Sequence, residues 1–405
     1  MSDRTLKSIG RLHDLALYGA PPAFSEPLHV GYPSIGNKDD FLRRIDDMFE
    51  RRFFTNDGPF VRELEQRIAE RLGVKHCVAV ANGTLALEIA IRALGLQGEV
   101  IVPSYTFIAT AHALWWQGIT PVFADINPAT HNLDPAAVRR MITPRTTGII
   151  GVHLWGRPAP VRELQQIADE HGLELMFDAA HAFSCSYGNE LIGRFGRLEV
   201  FSFHATKIFN SFEGGAVTTD DDELAAAMRL MRNFGFSGYD NVIYPGTNGK
   251  LTEICAAMGL TNLDAVDDII AANRSNYEEY RAAIDSIPGL SLVRFDPDEQ
   301  NNYQYVVIEV SRKIGLSRDF IVNALHRENI LVRRYFWPGC HRMKPYRDLF
   351  PHAGLVLPNT KEVAEKVIVL PTGPSLPEGA ATAISNILRV LLSEKDAYEI
   401  GHSHE

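Results

Sequence analysis

"VFSFHATKIFNSFEGGAVTTD", residues 200–220, places Lys207 just after a run of strand-like residues and just before a loop ending in two glycines. Similar short apolar runs recur on its N-terminal side. They are "LEVFSFHAT" (198–206, overlapping the stretch itself), "LELMFDAAH" (173–181), "TTGIIGVHLWG" (146–156), "TPVFADI" (120–126), "EVIVPSY" (99–105) and "HCVAVAN" (76–82). Between them lie helical spacings such as "FVRELEQRIAERLG" (60–73) and "GTLALEIAIRALG" (83–95). With "GGAVTTDD" (214–221) as a strand beyond the lysine loop, the runs number seven. Alternation of this kind predicts an α/β fold with a mostly parallel seven-stranded sheet covered by helices on both faces. The double glycine reads as the close turn that returns the chain to the sheet.

The flanks differ in character. Residues 1–45 form an arm, with "YGAPPAFSEPLHVGYPSIG" (18–36) rich in Pro and Gly and poor in periodicity. Residues 46–265 make the large domain. From 266 to 405 the pattern suits a smaller α+β domain, with the polar helix "AANRSNYEEYRAAIDSI" (271–287), "NNYQYVVIEV" (301–310) and "SRDFIVNALHREN" (317–329).

A chain of 405 residues with 45% hydrophobic content can bury a large core, and a net charge of −10 argues against non-specific nucleic-acid binding. No window reaches 18 consecutive apolar residues, so no membrane span is expected. The N-terminus lacks the apolar core and small-residue cleavage site of a secretory signal. Cys77, Cys185, Cys255 and Cys340 are scattered without a CxxC pair, which fits reduced thiols in a cytoplasmic protein and no metal site.

In open α/β sheets, ligands sit beyond the carboxyl ends of the strands. Four segments put unusual residues there. Asn82-Gly83-Thr84 opens a helix, where Gly83 permits close approach and Thr84 offers a hydroxyl and an N–H to phosphate; a plain helix cap uses the same residues. Asp178 ends an apolar strand, where a lone carboxylate is costly unless a cation such as a protonated ring nitrogen pairs with it. The alternative there is a capping Asp with His181 filling space. Lys207 is a surface lysine or a desolvated amine able to form a Schiff base, with Ser202 five residues before it. Phe107 is a core aromatic or a face that stacks on a flat heterocycle. Taken together, a phosphate cradle, a ring stacker, a pyridinium counter-ion and an amine are the parts of a pyridoxal 5′-phosphate site.

The blocks "ANGTLAL" (81–87), "VPSYTFIATAHA" (102–113), "FDAAHAF" (177–183) and "FSFHATKIFNSFEGGAVTT" (201–219) resemble the signature of the DegT/DnrJ/EryC1/StrS aminotransferases, in order and in register from about Phe54 to Leu260. The resemblance implies the fold-type I, aspartate-aminotransferase-like architecture, pyridoxal phosphate as cofactor and nucleotide-linked keto sugars as substrates. It assigns Lys207 to the covalent hold on the cofactor, Asp178 to the pyridine nitrogen and His181 to the phenolic oxygen. Gly83, Thr84 and Ser202 take the phosphate, and Phe107 stacks on the ring. It also implies a homodimer with shared active sites. A segment resembling "NFGFSGYDNVIYPGTNGKLTEICAAMG" (233–259) would bring Asn248 to the partner's phosphate. The family commonly has arginine where this chain has Lys250, which keeps the charge without the bidentate fork. "RRYFWPGCHRMKPY" (333–346) resembles the family only loosely, with Tyr335, His341 and Lys250 as candidate substrate contacts.

The reaction expected is transfer of an amino group from L-glutamate to a nucleotide-linked keto sugar. The preferred substrate is dTDP-4-keto-6-deoxyglucose, giving a 4-amino-4,6-dideoxy sugar for a natural product such as an antibiotic or for a surface glycan. A 3-keto sugar nucleotide or a scyllo-inosose-type cyclitol is the alternative. A sugar dehydratase of the same family would carry histidine in place of Lys207, and a non-catalytic regulator would not need the intact Asp178, Lys207 and phosphate ligands. A Rossmann-type dehydrogenase would need a GxGxxG after the first strand, which is absent.

Overall fold

Each of the seven apolar runs becomes a strand of one sheet in the computed structural model, which describes residue 7 and residues 9–393. In chain order they are β1 (His76–Val80), β2 (Glu99–Pro103), β3 (Thr120–Ala124), β4 (Thr146–Val152), β5 (Glu174–Asp178), β6 (Leu198–Ser202) and β7 (Gly215–Thr219). Their order across the sheet is β1-β7-β6-β5-β4-β2-β3. Every pairing is parallel except those of β7, which runs antiparallel to both β1 and β6. The expected α/β architecture is therefore present, with one reversed strand.

The strands are apolar along their whole length because both faces are covered. In β1, Cys77 and Ala79 pack on one side with Leu64 and Ile68 of α2 (Pro59–Leu72). Val78 and Val80 face the other way, toward Leu87 and Ile91 of α3 (Gly83–Ala93), as the two-residue period of a strand requires. Helices α4 (Ala109–Trp115), α5 (Pro135–Met141), α6 (Val161–His171) and α7 (Asp222–Met231) complete the covering layers, preceded by α1 (Lys38–Arg51). Among the described residues no helix is long and apolar enough to cross a membrane.

Helix α8 (Glu253–Ile284) is continuous for 32 residues, and residue 265, the boundary drawn from the sequence, lies within it. Beyond it come the three antiparallel strands β8 (Leu290–Leu292), β9 (Val306–Val310) and β10 (Val367–Leu370), packed with helices that include α9 (Arg318–Arg327). The arm is tied to this C-terminal unit. Ile9, Leu12, Leu15 and Phe24 are buried in its core, and Leu28–His29 pairs in parallel with Ile330–Leu331. Residues 1–6, 8 and 394–405, the outer parts of the expected arm and C-terminal domain, lie outside the described residues.

The double glycine serves space more than turn geometry. Among the described residues of that loop, the left-handed one is Phe212 (φ 63°), and neither Gly214 nor Gly215 has a positive φ. A Cβ on Gly215 would lie 2.7 Å from the backbone carbon of Asn82. Glycine there lets β7 lie directly against the start of α3.

Candidate active site

Because β1, β2, β4, β5 and β6 are mutually parallel in sense, their carboxyl ends gather along one edge of the sheet, and β7 begins there. A cavity of about 390 Å³ opens at that edge. Gly83, Thr84, Phe107, Asp178, His181, Ser202, Lys207 and Tyr335 all line it, although they are spread along the chain from residue 83 to residue 335.

One end of the cavity is the N-terminus of α3. Asn82 caps that helix by accepting from the Leu85 N–H at 2.9 Å, leaving neighbouring N–H groups for a ligand. A Cβ on Gly83 would stand 2.8 Å from the Ser202 Cβ and 3.1 Å from its Oγ. The missing side chain thus brings a hydroxyl against a helix N-terminus, a combination suited to phosphate.

The other end carries the charges. Asp178 is buried; its Oδ2 accepts from Thr110 Oγ1 at 2.9 Å and its Oδ1 from the Ala180 N–H at 3.1 Å. Burial pushes its carboxyl up, while those two hydrogen bonds and the Lys207 charge pull it back. Burial also lowers the Lys207 ammonium to about 8, with the Asp178 carboxylate opposing the fall. His181 is pushed well below the ordinary imidazole value by burial and then by the charge of Lys207, so its ring is neutral. That ring is stacked on Trp155, with centroids 6.0 Å apart, and lies 4.4 Å from the Tyr305 ring.

Phe107 is no core residue. It is 59% exposed at the cavity, and its ring meets Phe336 edge-on at 6.5 Å. Tyr335 lines the cavity with the Arg333 guanidinium 5.3 Å from its ring centroid. Three expected residues stand elsewhere. His341 is buried outside the cavity lining, with Nδ1 2.7 Å from the Ser104 hydroxyl. Asn248 is exposed and also outside it, bridged to Asn233. Lys250 donates from Nζ to Asn233 Oδ1 at 3.0 Å and covers the Phe234 ring at 4.8 Å.

Sequence reasoning passed over Thr110, Trp155, Tyr305, Arg333 and Phe336. Thr110 lies within "TFIATAHAL", three positions from Phe107, so helical spacing could have revealed it. Trp155 follows the end of a strand, the same criterion that singled out Asp178. Tyr305, Arg333 and Phe336 come from the C-terminal unit, and no local pattern links them to the sheet edge.

The residues present fit pyridoxal phosphate: a phosphate cradle at Gly83, a buried carboxylate that lacks a full counter-charge, a neutral donor at His181 and an amine with a lowered pKa. A mostly parallel seven-stranded sheet with this lysine–aspartate pair at its carboxyl edge defines a fold-type I pyridoxal-phosphate enzyme. Within that class, the model of the DegT/DnrJ/EryC1/StrS aminotransferase family matches residues 36–389, and the chain belongs to this family of sugar aminotransferases. It is 36% identical over 364 residues to the dTDP-4-amino-4,6-dideoxy-D-glucose transaminase of Shigella dysenteriae, covering 90% of this chain and 99% of that one. It is 35% identical over 324 residues to the GDP-perosamine synthase of Caulobacter vibrioides, covering 78% and 85%. Among solved structures, DesI in the presence of its TDP-sugar product is 45% identical, with a TM-score of 0.92 over 97% of this chain and 100% of that one.

Proposed function

We propose that the enzyme transfers an amino group from L-glutamate to dTDP-4-keto-6-deoxyglucose, forming a 4-amino-4,6-dideoxy sugar. The observation that carries the reaction type is the Lys207–Asp178 pair, an amine lowered to about 8 beside a buried carboxylate in a cavity with a phosphate cradle. The sugar is supported by the relatives that act on dTDP-linked 4-amino-4,6-dideoxyglucose and by the likeness to DesI with its TDP-sugar product. The setting is deoxyaminosugar biosynthesis in the cytoplasm, for an antibiotic or a surface glycan.

When bound, pyridoxal phosphate supplies an electron sink for the carbon that loses its proton. Gly83, Thr84 and Ser202 would hold the phosphate, Phe107 would cover the ring and Asp178 would keep the ring nitrogen protonated. His181 offers a hydrogen bond to the phenolic oxygen. Lys207 holds the cofactor through Nζ. When free, its Nζ would take a proton from the donor's α-carbon and later give one to the sugar carbon, as a general acid/base with a pKa near working pH. Tyr335 and Arg333 stand where the C-terminal unit borders the cavity, and the guanidinium suits the anionic part of a substrate. In this reading the large domain, residues 46–265, holds the cofactor, the described part of the C-terminal domain, residues 266–393, borders the substrate, and the described part of the arm docks on the C-terminal domain. Asn248, and with it Lys250, serves the second subunit of a homodimer.

Lys207→Ala is expected to abolish turnover and the cofactor's visible absorption band. A variant that still aminates a sugar at near the wild-type rate overturns the reaction type. The substrate is tested separately, with dTDP-, UDP- and GDP-linked 4-keto and 3-keto sugars, glutamate as donor, and NMR of the product to locate the amine. A preference for a 3-keto sugar would replace the proposed substrate while leaving the chemistry of Lys207 in place.

A further inference from the structure

Trp155 is an anomaly beside the site. It lies three residues beyond β4 with a left-handed backbone (φ 63°, ψ 9°), a conformation that bulky residues rarely take. Its indole is completely buried, and both of its N–H groups are committed. The indole Nε1–H donates to His131 Nδ1 at 3.1 Å. The backbone N–H donates to His181 Nδ1 at 3.3 Å.

Donor and acceptor counting then fixes two tautomers. An indole nitrogen only donates, so the His131 Nδ1 that receives it carries no proton. His131 therefore keeps its proton on Nε2, where Glu309 Oε1 lies 2.7 Å away. Lys366 Nζ lies 3.2 Å from the same oxygen and keeps that carboxylate in place. Burial lowers His131 against the pull of Glu309, in keeping with a neutral ring. The same counting applies at His181. A backbone N–H only donates, so His181 Nδ1 is bare and its single proton sits on Nε2, the nitrogen left for the cavity.

We propose that Trp155 is a positioning residue that sets the tautomer of His181. Glu309 on β9 and the buried His131 hold the indole. The held indole keeps the backbone in its left-handed turn, and the turn aims one N–H at His181. A carboxylate of the C-terminal sheet thereby determines which imidazole nitrogen offers a hydrogen bond in the cofactor cavity. The benefit to catalysis rests on the reading above that His181 meets the cofactor's phenolic oxygen; the tautomer itself does not.

The test uses the full chain without cofactor, labelled with ¹⁵N at histidine, with the His181 ring signal identified by its loss in His181→Asn. In the wild type, His181 is expected to be protonated on Nε2 alone. Trp155→Phe keeps an aromatic ring but removes the indole donor, and a population of His181 protonated on Nδ1 is expected to appear. Glu309→Gln, which still accepts from His131, is expected to match the wild type, whereas Glu309→Ala is expected to follow Trp155→Phe. After loading with pyridoxal phosphate, the pH midpoint of the visible band should move by about one unit in Trp155→Phe and stay in place in Glu309→Gln. A folded Trp155→Phe with the wild-type His181 tautomer overturns the proposal. If Trp155→Phe does not fold, Glu309→Ala decides, since an unchanged tautomer there also overturns it. A tautomer that shifts while the visible band stays supports the relay and removes His181 from the cofactor's oxygen.

Discussion

Lys207 shows how function opposes stability at a single residue. Its ammonium is lowered from the ordinary 10.5 to about 8, first by burial, with Asp178 resisting. The folded state therefore binds fewer protons than the unfolded state between these two values, and stability from this group rises with pH across that window. Below pH 8 both states are protonated and the folded chain bears the full cost of a poorly solvated cation. Removing the amine should relieve that cost. Lys207→Met in the cofactor-free protein is expected to be more stable than wild type at pH 7 by about 1–3 kcal/mol, a range that allows for screening by water in the cavity. The gain should shrink between pH 8 and 10.5. Urea unfolding of both proteins across that range checks it, and a difference independent of pH would mean that Lys207 titrates normally. Read alone, Lys207 has two fates, and Asp178, Ser202 and Gly83 at neighbouring strand ends decide between them; the burial that lowers its pKa is what a linear pattern does not display.

At the scale of elements, the site depends on how closely α3, β6 and β7 approach one another. Gly83 and Gly215 are the contact points: a Cβ on the first would meet Ser202 and on the second the backbone of Asn82. Gly83→Ala forces either α3 or β6 to shift by a few tenths of an ångström, and overpacking of this kind costs about 1–3 kcal/mol. The displaced atoms belong to the proposed phosphate cradle, so the cost should fall on the cofactor. Pyridoxal phosphate is expected to bind roughly 5- to 150-fold more weakly, with little change in the fold. Titration of the visible band against added cofactor measures this, and unchanged affinity would place the phosphate elsewhere. The strands themselves were legible because each buries both faces and so reads as an unbroken apolar run. The docking of the arm was not, because Leu12–Asp14 and Ala16–Tyr18 are single turns of 3-10 helix, too short to show a period. Their apolar residues gain meaning only against the core of the C-terminal unit, as do Tyr305 and Arg333 at the cavity.

At the scale of the whole molecule, the segment around Asn248 bears on assembly. Its base is held by bridges between Asn233 and Asn248 and between Phe236 and Val242, and Lys250 is engaged with Asn233 and Phe234 inside the same segment. Yet it exposes Phe234, Phe236, Val242 and Ile243, and Tyr239 is 97% exposed. A self-braced projection with apolar side chains facing water is suited to a second surface. Asn248 sits on it outside its own chain's cavity, so its amide serves a phosphate only if that surface is another subunit's site. In the proposed homodimer, mixed dimers separate the two arrangements. Lys207→Ala is expected to disable the site in the chain that carries it, and Asn248→Asp to set a carboxylate against whichever phosphate it reaches. If Asn248 acts across the interface, a dimer of one Lys207→Ala chain and one Asn248→Asp chain has one site with both defects and one with neither. Such dimers, purified through two different tags, are expected to recover about half of the wild-type turnover per dimer, while each parent homodimer stays inactive or nearly so. If Asn248 acts within its own chain, both sites of the mixed dimer carry a defect and no turnover returns.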